Sequence, residues 1–312
     1  MNWTDEFLDL LYALDRADAR IPYALSLKYK NLPPRLFKYR SISDHSLKNL
    51  SDDTVWLADP RTFNDPYDCH HFINFSRLAD KLLREMPPAL RREFPADVIE
   101  QVENAIAKSL DADAAVMAVM FKDEDPATAQ ALSHDFRGVL TSQFAKMGTE
   151  AAFAMKDGFK VCSFSERSDS TLMWAHYANY HSGFCIEYDI SSLPFRHPLA
   201  LNMYPVIYRE KPFDATESFI RYQERNRLHL NMAALVKSTD WSYEKEWRLV
   251  FSNGVLATPG PFKMPKPKAV YLGSHIGENH ATDVLQICTD KGIPVYKMQH
   301  SLDSFGMRPS AV

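Results

Sequence analysis

The chain has few cysteines, and none of them are spaced as in a zinc or disulfide framework. Its four cysteines, Cys69, Cys162, Cys185 and Cys288, lie far apart in 312 residues, and no CxxC pair is present. This pattern argues against a disulfide-stapled domain and a four-sulfur zinc site, and it favours a reducing compartment. We therefore expect a cytoplasmic protein.

Long apolar runs, phosphate-binding glycine loops and a strong net charge are also missing. No run of about 18 apolar residues occurs, and acidic residues interrupt the N-terminal apolar repeat, so we expect no membrane span and no secretory signal. Without GxGxxG or GxxxxGK[ST], Rossmann-type and P-loop nucleotide binding lose their main support. The balance of 36 basic and 40 acidic residues gives a net charge of -4, which does not support nucleic-acid binding but does not exclude it.

What is present is typical of a folded domain, with 46% hydrophobic and 12% aromatic residues. An amphipathic helix is predicted over about residues 4–19, and helical spacing dominates residues 76–153. Further helices are predicted over TLMWAHYANYH, residues 216–235 and residues 279–291, and strands at LFKYR, TVWLA, FKVCSF, FCIEYD, residues 205–208, KAVYLG and IPVYKM. We expect an α+β fold with a mixed β-sheet, in which residues 1–312 form a single domain and residues 76–153 a helical insertion.

The densest chemistry lies in WSYEKEWRLVF, where Glu244 and Glu246 precede a run with strand character. On an extended chain, residues two apart project to one face, so both carboxylates should lie side by side at the start of a strand. Paired carboxylates can move protons or stabilise developing positive charge. The alternative is that both are solvated ends of an edge strand.

Two other strand edges place polar groups beside aromatic residues. Lys38 and Arg40 share one face of the first strand, and Ser163 and Ser165 share one face of a later strand. If these strands are neighbours of the one after Glu246, an arginine, two serines and two glutamates converge on one cleft. Alternatively, the arginine is a surface cation and the serines cap the following helix.

Several segments together closely resemble a bacterial family catalogued as domain-of-unknown-function family 2971. They are LFKYRS, WLADPRTFNDPYD, SFSERSDSTLMWAHYANYHSGFCIEYD, WSYEKEWRLVF and AVYLG. This resemblance covers nearly the whole chain outside the helical insertion. It names relatives but no reaction.

A second resemblance carries a reaction. The order of Arg40, a serine pair and the ExE of Glu244 and Glu246 is similar to the arginine, serine, glutamate class of mono-ADP-ribosyltransferases. That resemblance implies an ADP-ribosyltransferase-like fold and an NAD-consuming transferase that modifies an unknown macromolecular acceptor, as a toxin or phage-defence effector. NAD would be its substrate.

The same resemblance implies roles for individual residues. Arg40 would hold the NAD phosphates and ribose, and Ser163 or Ser165 would position a glutamate. Glu246 would stabilise the cationic ribose, while Glu244 would orient or deprotonate the acceptor. The aromatic residues that would contact the cofactor are Tyr39, Trp174, His176 and Tyr177. Phe164 is a further candidate for stacking on the nicotinamide. Because phenylalanine separates the two serines, Tyr177 is an alternative to them as the middle residue, as in the histidine, tyrosine, glutamate class.

Three further readings stay open. In the predicted WAHYANYH helix, His176 and Tyr180, and Tyr177 and His181, stand four residues apart, so with Cys69, His70 and His71 they could bind a metal or line a pocket. The acids and the amide of DPRTFNDPYD are Asp59, Asn64, Asp65 and Asp68. They could bind Mg²⁺ in a nuclease or phosphodiesterase, or they could close Asx-type hydrogen bonds in a rigid turn. A non-catalytic sensor that binds a nucleotide or a partner is the third.

Overall fold

The computed structural model describes residues 2–85, 91–92, 95–221 and 225–312. These residues form two compact units. The first is built from the described parts of Met1–His70, Met155–Pro212 and Asn226–Val312, and the second from those of His71–Ala154 and Phe213–Arg225. Within the described ranges, no helix combines the length and apolarity needed to cross a membrane.

The strands confirm the predicted mixed sheet. Their bounds are β1 Leu36–Arg40, β2 Thr54–Leu57, β3 His71–Phe72, β4 Phe159–Ser165, β5 Phe184–Tyr188, β6 Met203–Pro205, β7 Ile207–Arg209, β8 Phe213–Asp214, β9 Val236–Ser238, β10 Glu246–Ser252, β11 Gly260–Lys263, β12 Ala269–Leu272, β13 Val295–His300 and β14 Met307–Ala311. Eight strands of the first unit form one sheet in the order β14-β13-β12-β5-β1-β4-β10-β6. Only β12 and β13 in this sheet run parallel, and the predicted strand, helix, strand unit at residues 268–298 connects them.

The predicted helices are present in whole or in part, with different ends, and the helices over Ile21–Lys30 and Pro198–Asn202 were not predicted. Their bounds are α1 Trp3–Leu11, α2 Ile21–Lys30, α3 Asp44–Ser51, α4 Phe75–Glu85, α5 Ala96–Ala107, α6 Ala112–Met120, α7 Pro126–Asp157, α8 Thr171–Tyr177, α9 Pro198–Asn202, α10 Thr216–Ile220 and α11 Glu278–Lys291. The helices α4 to α7 occupy most of residues 76–153, the segment predicted to be helical; residues 86–90 and 93–94 lie outside the described ranges.

Three predicted helices end early. The N-terminal helix stops at Leu11, and a separate helix begins at Ile21, where a proline in its first turn suits a helix start. The helix over WAHYANYH stops at Tyr177, because the next turn has left-handed backbone, with φ of 45°, 53° and 67° at Asn179, Tyr180 and His181. The predicted helix over residues 216–235 is only α10 and a 3₁₀ turn at His229–Ala234; residues 222–224 lie outside the described ranges.

The two faces of the large sheet pack on different cores. Leu36, Phe164 and Leu249 belong to one cluster of buried residues. The next residues along the same strands, such as Phe37 after Leu36 and Val250 after Leu249, belong to clusters on the other face. Because successive side chains of a strand alternate between faces, the position of a residue in this alternation decides which core it meets.

Candidate active site

Three neighbouring strands bring the predicted serine and glutamate together. Phe37 of β1 pairs with Ser165 of β4, and Ser165 pairs with Glu246 of β10. Directly paired residues in neighbouring strands project to the same face of a sheet. The predicted adjacency of these three strands is therefore confirmed, and Ser165 and Glu246 share a face.

Arg40 does not join them. It lies three positions after Phe37, so its side chain projects from the opposite face of β1, together with Lys38. On that side, burial raises the pKa of the Tyr188 phenol, and the nearby charge of Arg40 opposes the rise. The predicted convergence of the Arg40 guanidinium with Ser163 and Glu246 is not found, because the β1 register puts Phe37 and Tyr39 on the Glu246 face.

Glu244 and Glu246 do lie side by side, but not as two residues of one strand. Glu244 ends a 3₁₀ helix over Thr239–Glu244, Lys245 adopts left-handed backbone with φ of 45°, and Glu246 opens β10. This turn brings both carboxylates to the ammonium of Lys237. Its Nζ lies 2.6 Å from Oε2 of Glu244 and 3.0 Å from Oε2 of Glu246.

Arg248 completes a buried group of charges. Its side chain is fully buried, with Nε 2.7 Å from Oε1 of Glu246 and Nη1 2.7 Å from Oδ1 of Asp68. Arg248 also donates to the carbonyl of Ala234 at 2.8 Å. We call Asp68, Lys237, Glu244, Glu246 and Arg248 the charge cluster. It contains three acids and two cations, so it carries one excess negative charge when every member is ionised.

The two glutamates of the cluster have opposite pKa shifts. Burial and then the neighbouring Glu246 carboxylate raise the pKa of Glu244 to about 7. Burial would also raise the pKa of Glu246, but Arg248 and Lys237 outweigh it and hold that pKa well below its usual value. Near neutral pH, Glu246 therefore favours its ionised form while Glu244 can exchange a proton, a combination suited to acid and base catalysis.

A cavity of about 190 Å³ opens beside the two glutamates. Polar and aromatic groups line it: Phe37, Lys38, Tyr39, Phe63, Asn64, Asp68, Ser163, Phe164, Ser165, Met173, Tyr177, Lys237, Glu244 and Glu246. Tyr177 donates to Oε1 of Glu244 at 2.5 Å. The Ser165 hydroxyl donates to the carbonyl of Glu244 at 2.5 Å, and that of Ser163 hydrogen-bonds the Glu246 carboxylate. The two serines thus have different tasks: Ser165 holds the turn, and Ser163 supports the carboxylate.

The other residues predicted to contact a cofactor divide into one that lines the cavity and two that do not. Tyr39 lines it and donates its hydroxyl proton to the carbonyl of Arg167 at 2.7 Å. Trp174 is fully buried, stands edge-on to Tyr39 at 5.2 Å between ring centroids and is not part of the lining. His176 is exposed and lies near Trp241 instead.

The acids considered as possible magnesium ligands make turn hydrogen bonds, and the thiol considered for a histidine–thiolate site is buried. Asp59 accepts from the backbone N–H of Arg61, and Asp65 accepts from that of Tyr67, which confirms the Asx-type turn. Cys69 is buried, and burial raises the pKa of its thiol. Among the described residues, no three or more His, Cys, Asp or Glu side chains are arranged to hold a metal ion.

Most of the charge cluster lies in one segment of the chain. A family model described as a protein of unknown function, DUF2971, matches residues 173–249. The match includes Tyr177 and every member of the charge cluster except Asp68, and it supports the resemblance predicted for this segment. It covers less than half of the chain. No curated protein and no solved structure matches the chain.

Replacing Glu244 with glutamine should change how stability depends on pH. The carboxyl has a pKa of about 7 in the folded protein against 4.5 ordinarily, so its ionisation opposes folding. The stability that the protonated Glu244 carboxyl contributes is fully present below pH 4.5 and is lost as the pH rises through 7. The wild type should lose roughly 3 kcal/mol relative to Glu244→Gln over this window. Urea unfolding of both proteins at pH 5 and pH 8 measures the difference. An equal change in the free energy of unfolding of the two proteins between these pH values would contradict a raised pKa of Glu244.

Proposed function

We propose that the first unit is an NAD-consuming enzyme of the ADP-ribosyltransferase type, which breaks the bond between nicotinamide and ribose and passes ADP-ribose to an acceptor. The observation that carries this proposal is the placement of Glu244, a carboxyl with a pKa of about 7, in a cavity wall beside the ionised Glu246. A group that titrates near the working pH is suited to proton transfer.

The charge of the cluster supports a cationic reaction centre. Lys237 and Arg248 together balance Asp68 and Glu246, so ionised Glu244 is the excess charge. Cleavage of an N-glycosidic bond builds positive charge on the ribose, and a fixed negative charge in a site from which water is excluded stabilises that charge. The bound nicotinamide ring of NAD is itself cationic and favours aromatic neighbours such as Tyr39 and Phe63.

The size of the cavity supports binding of one ring rather than a whole dinucleotide. A volume of about 190 Å³ is only somewhat larger than the roughly 150 Å³ that accommodates benzene in an apolar protein cavity. A second cavity of about 310 Å³, lined among others by Arg209, Lys211 and Trp241, shares Lys237 with the first. We propose that nicotinamide enters the smaller cavity and that the remainder of NAD lies outside it.

In the proposed reaction, the bond between ribose and nicotinamide breaks, and its electron pair leaves with the ring nitrogen as neutral nicotinamide. The acceptor then forms a bond to the same ribose carbon and gives its proton to Glu244. Ser163, which hydrogen-bonds Glu246, keeps the second carboxylate in place. The role of phosphate binding is not retained for Arg40, because its side chain lies on the other face of β1.

Incubation of the purified protein with NAD carrying a label in the adenosine half tests the proposal. We expect nicotinamide release, measured by chromatography, transfer of the label to the acceptor, and loss of both in Glu244→Gln. Glu278→Gln, which removes an exposed carboxylate in the first turn of α11, is the matched control and should behave as wild type. A wild-type protein that neither binds NAD nor releases nicotinamide, with or without a cell extract as acceptor source, refutes the proposal.

A further inference from the structure

Three histidines from separate segments of the first unit form a cluster. His181 follows α8, His275 follows β12, and His300 ends β13. Their ring centroids are 5.6 Å apart for His181 and His275, 5.1 Å for His181 and His300, and 5.7 Å for His275 and His300. Among the described residues, no carboxylate forms an ion pair with any of these imidazoles; the hydrogen bond of His300 Nε2 with the Ser274 hydroxyl, 3.5 Å long, is a contact with a neutral group.

The backbone fixes the positions from which these rings project. The N–H of His275 donates to the carbonyl of His181 at 3.0 Å. A Cβ atom on Gly273 would lie 2.1 Å from that same carbonyl oxygen, so the close approach requires glycine. His300 is held by the parallel pairing of β12 with β13, where Leu272 pairs with Lys297. The cluster therefore follows from the fold and does not depend on the ring orientations.

The ring separations match those of three imidazoles around one tetrahedral ion. With a zinc–nitrogen distance of about 2.1 Å and the ring centre about 1.1 Å further out, neighbouring centroids lie about 5.2 Å apart. Among the described residues, no three such side chains are already arranged to hold a metal ion, so binding at this cluster requires the rings to reorient. His275 and His300 are exposed, and the torsion that turns an imidazole ring is soft, so reorientation is cheap.

His181 offers a ring nitrogen that the protein leaves unused. Its Nδ1 is buried, and no hydrogen-bond partner for it is found among the described residues. A buried polar atom without a partner costs about 1–3 kcal/mol, unless something else satisfies the ring. A metal ion shared with the two exposed histidines would recruit this imidazole as a ligand.

We propose that His181, His275 and His300 bind one divalent transition-metal ion, with zinc the best match, and leave its fourth position open. Imidazole nitrogen suits zinc, copper and nickel better than magnesium or calcium. The site goes beyond the proposed function, because none of its residues lines the cavity beside Glu244.

Calorimetric titration of metal-free protein with zinc chloride tests this site. The absorption spectrum of the cobalt(II)-loaded protein reports whether the metal has a tetrahedral nitrogen environment. We expect one saturable site per chain. Loss of a second-shell partner costs 10- to 100-fold in metal affinity, so loss of a ligand in His300→Ala or His275→Ala should weaken binding by at least about 100-fold. His280→Ala, which removes an exposed histidine of α11, is the control and should leave affinity unchanged.

Two results would overturn the site: absence of saturable binding, or binding that survives substitution of all three histidines. Circular dichroism of each variant separates ligand loss from misfolding, and His275→Ala and His300→Ala change only exposed rings. Nicotinamide release by the same variants separates the two proposals. Variants that lose metal but keep activity support the metal site, and a protein without NAD activity can still bind the ion.

Discussion

Replacing Arg248 with methionine is expected to lower the free energy of unfolding by about 3–5 kcal/mol, the cost of breaking a buried ion pair by removing one partner. Methionine fills much of the space but leaves the carboxylates of Asp68 and Glu246 without the guanidinium that both contact at 2.7 Å. Because Arg248 is fully buried, water cannot replace it. Urea unfolding at pH 7 measures the loss, and an insoluble or unfolded product counts as the extreme of the expected result.

Arg40→Met is the matched control for this substitution. Arg40 lies on the same sheet but is only half-buried, and none of the ion pairs found among the described residues involves it. We expect a change of less than about 1 kcal/mol. Comparable losses of unfolding free energy in both variants would mean that methionine disturbs the sheet itself and that the ion pairs of Arg248 add no stability of their own.

The second large effect is on catalysis. If Glu244 transfers the proton, Glu244→Gln should reduce ADP-ribose transfer to the acceptor by about 10²- to 10⁴-fold, the usual contribution of a positioned acid or base. Glutamine has nearly the same shape; its carbonyl oxygen can accept from Lys237 and its amide NH2 can donate to the Tyr177 hydroxyl oxygen, so the fold should be retained. The wild-type rate should rise with pH through about 7, as Glu244 loses its proton, and the variant should lack this rise.

Tyr177→Phe distinguishes proton transfer from positioning. It removes the hydroxyl that donates to Glu244 while leaving the carboxylate in place. This hydrogen bond favours the ionised acid, so its loss should move the rising limb of the pH–rate profile to higher pH with a smaller change in the maximal rate. An unchanged limb would exclude Glu244 as the titrating group.

The strands that carry the site could be predicted from the sequence, and their alignment could not. LFKYR alternates apolar and polar residues, and FKVCSF and the segment after Glu246 have strand character, so β1, β4 and β10 can be recognised in the sequence. A shift of one residue in register, however, exchanges the two faces of a strand. The sequence therefore predicted that Arg40 lies on the sheet face of the glutamates. In the structure, Phe37 and Tyr39 lie on that face.

The charge cluster was only partly visible for a related reason. Arg248 stands two residues after Glu246, and the alternation that was applied to Glu244 and Glu246 could have found it. Asp68 sits in a turn, and Lys237 in a short strand, with no local pattern that points to Arg248 or Glu246. Their meeting depends on long-range packing, as does that of the three histidines.

The ion pair of Asp68 and Arg248 joins positions 180 residues apart in the chain. Closing so long a loop costs chain entropy before the contact compensates for it, so we expect this ion pair to form late in folding. Until then each guanidinium and carboxylate keeps its own shell of water. Burial of these groups one at a time is unfavourable, so we expect this part of the sheet to assemble in a single cooperative event, with maturation of the cavity as its last step.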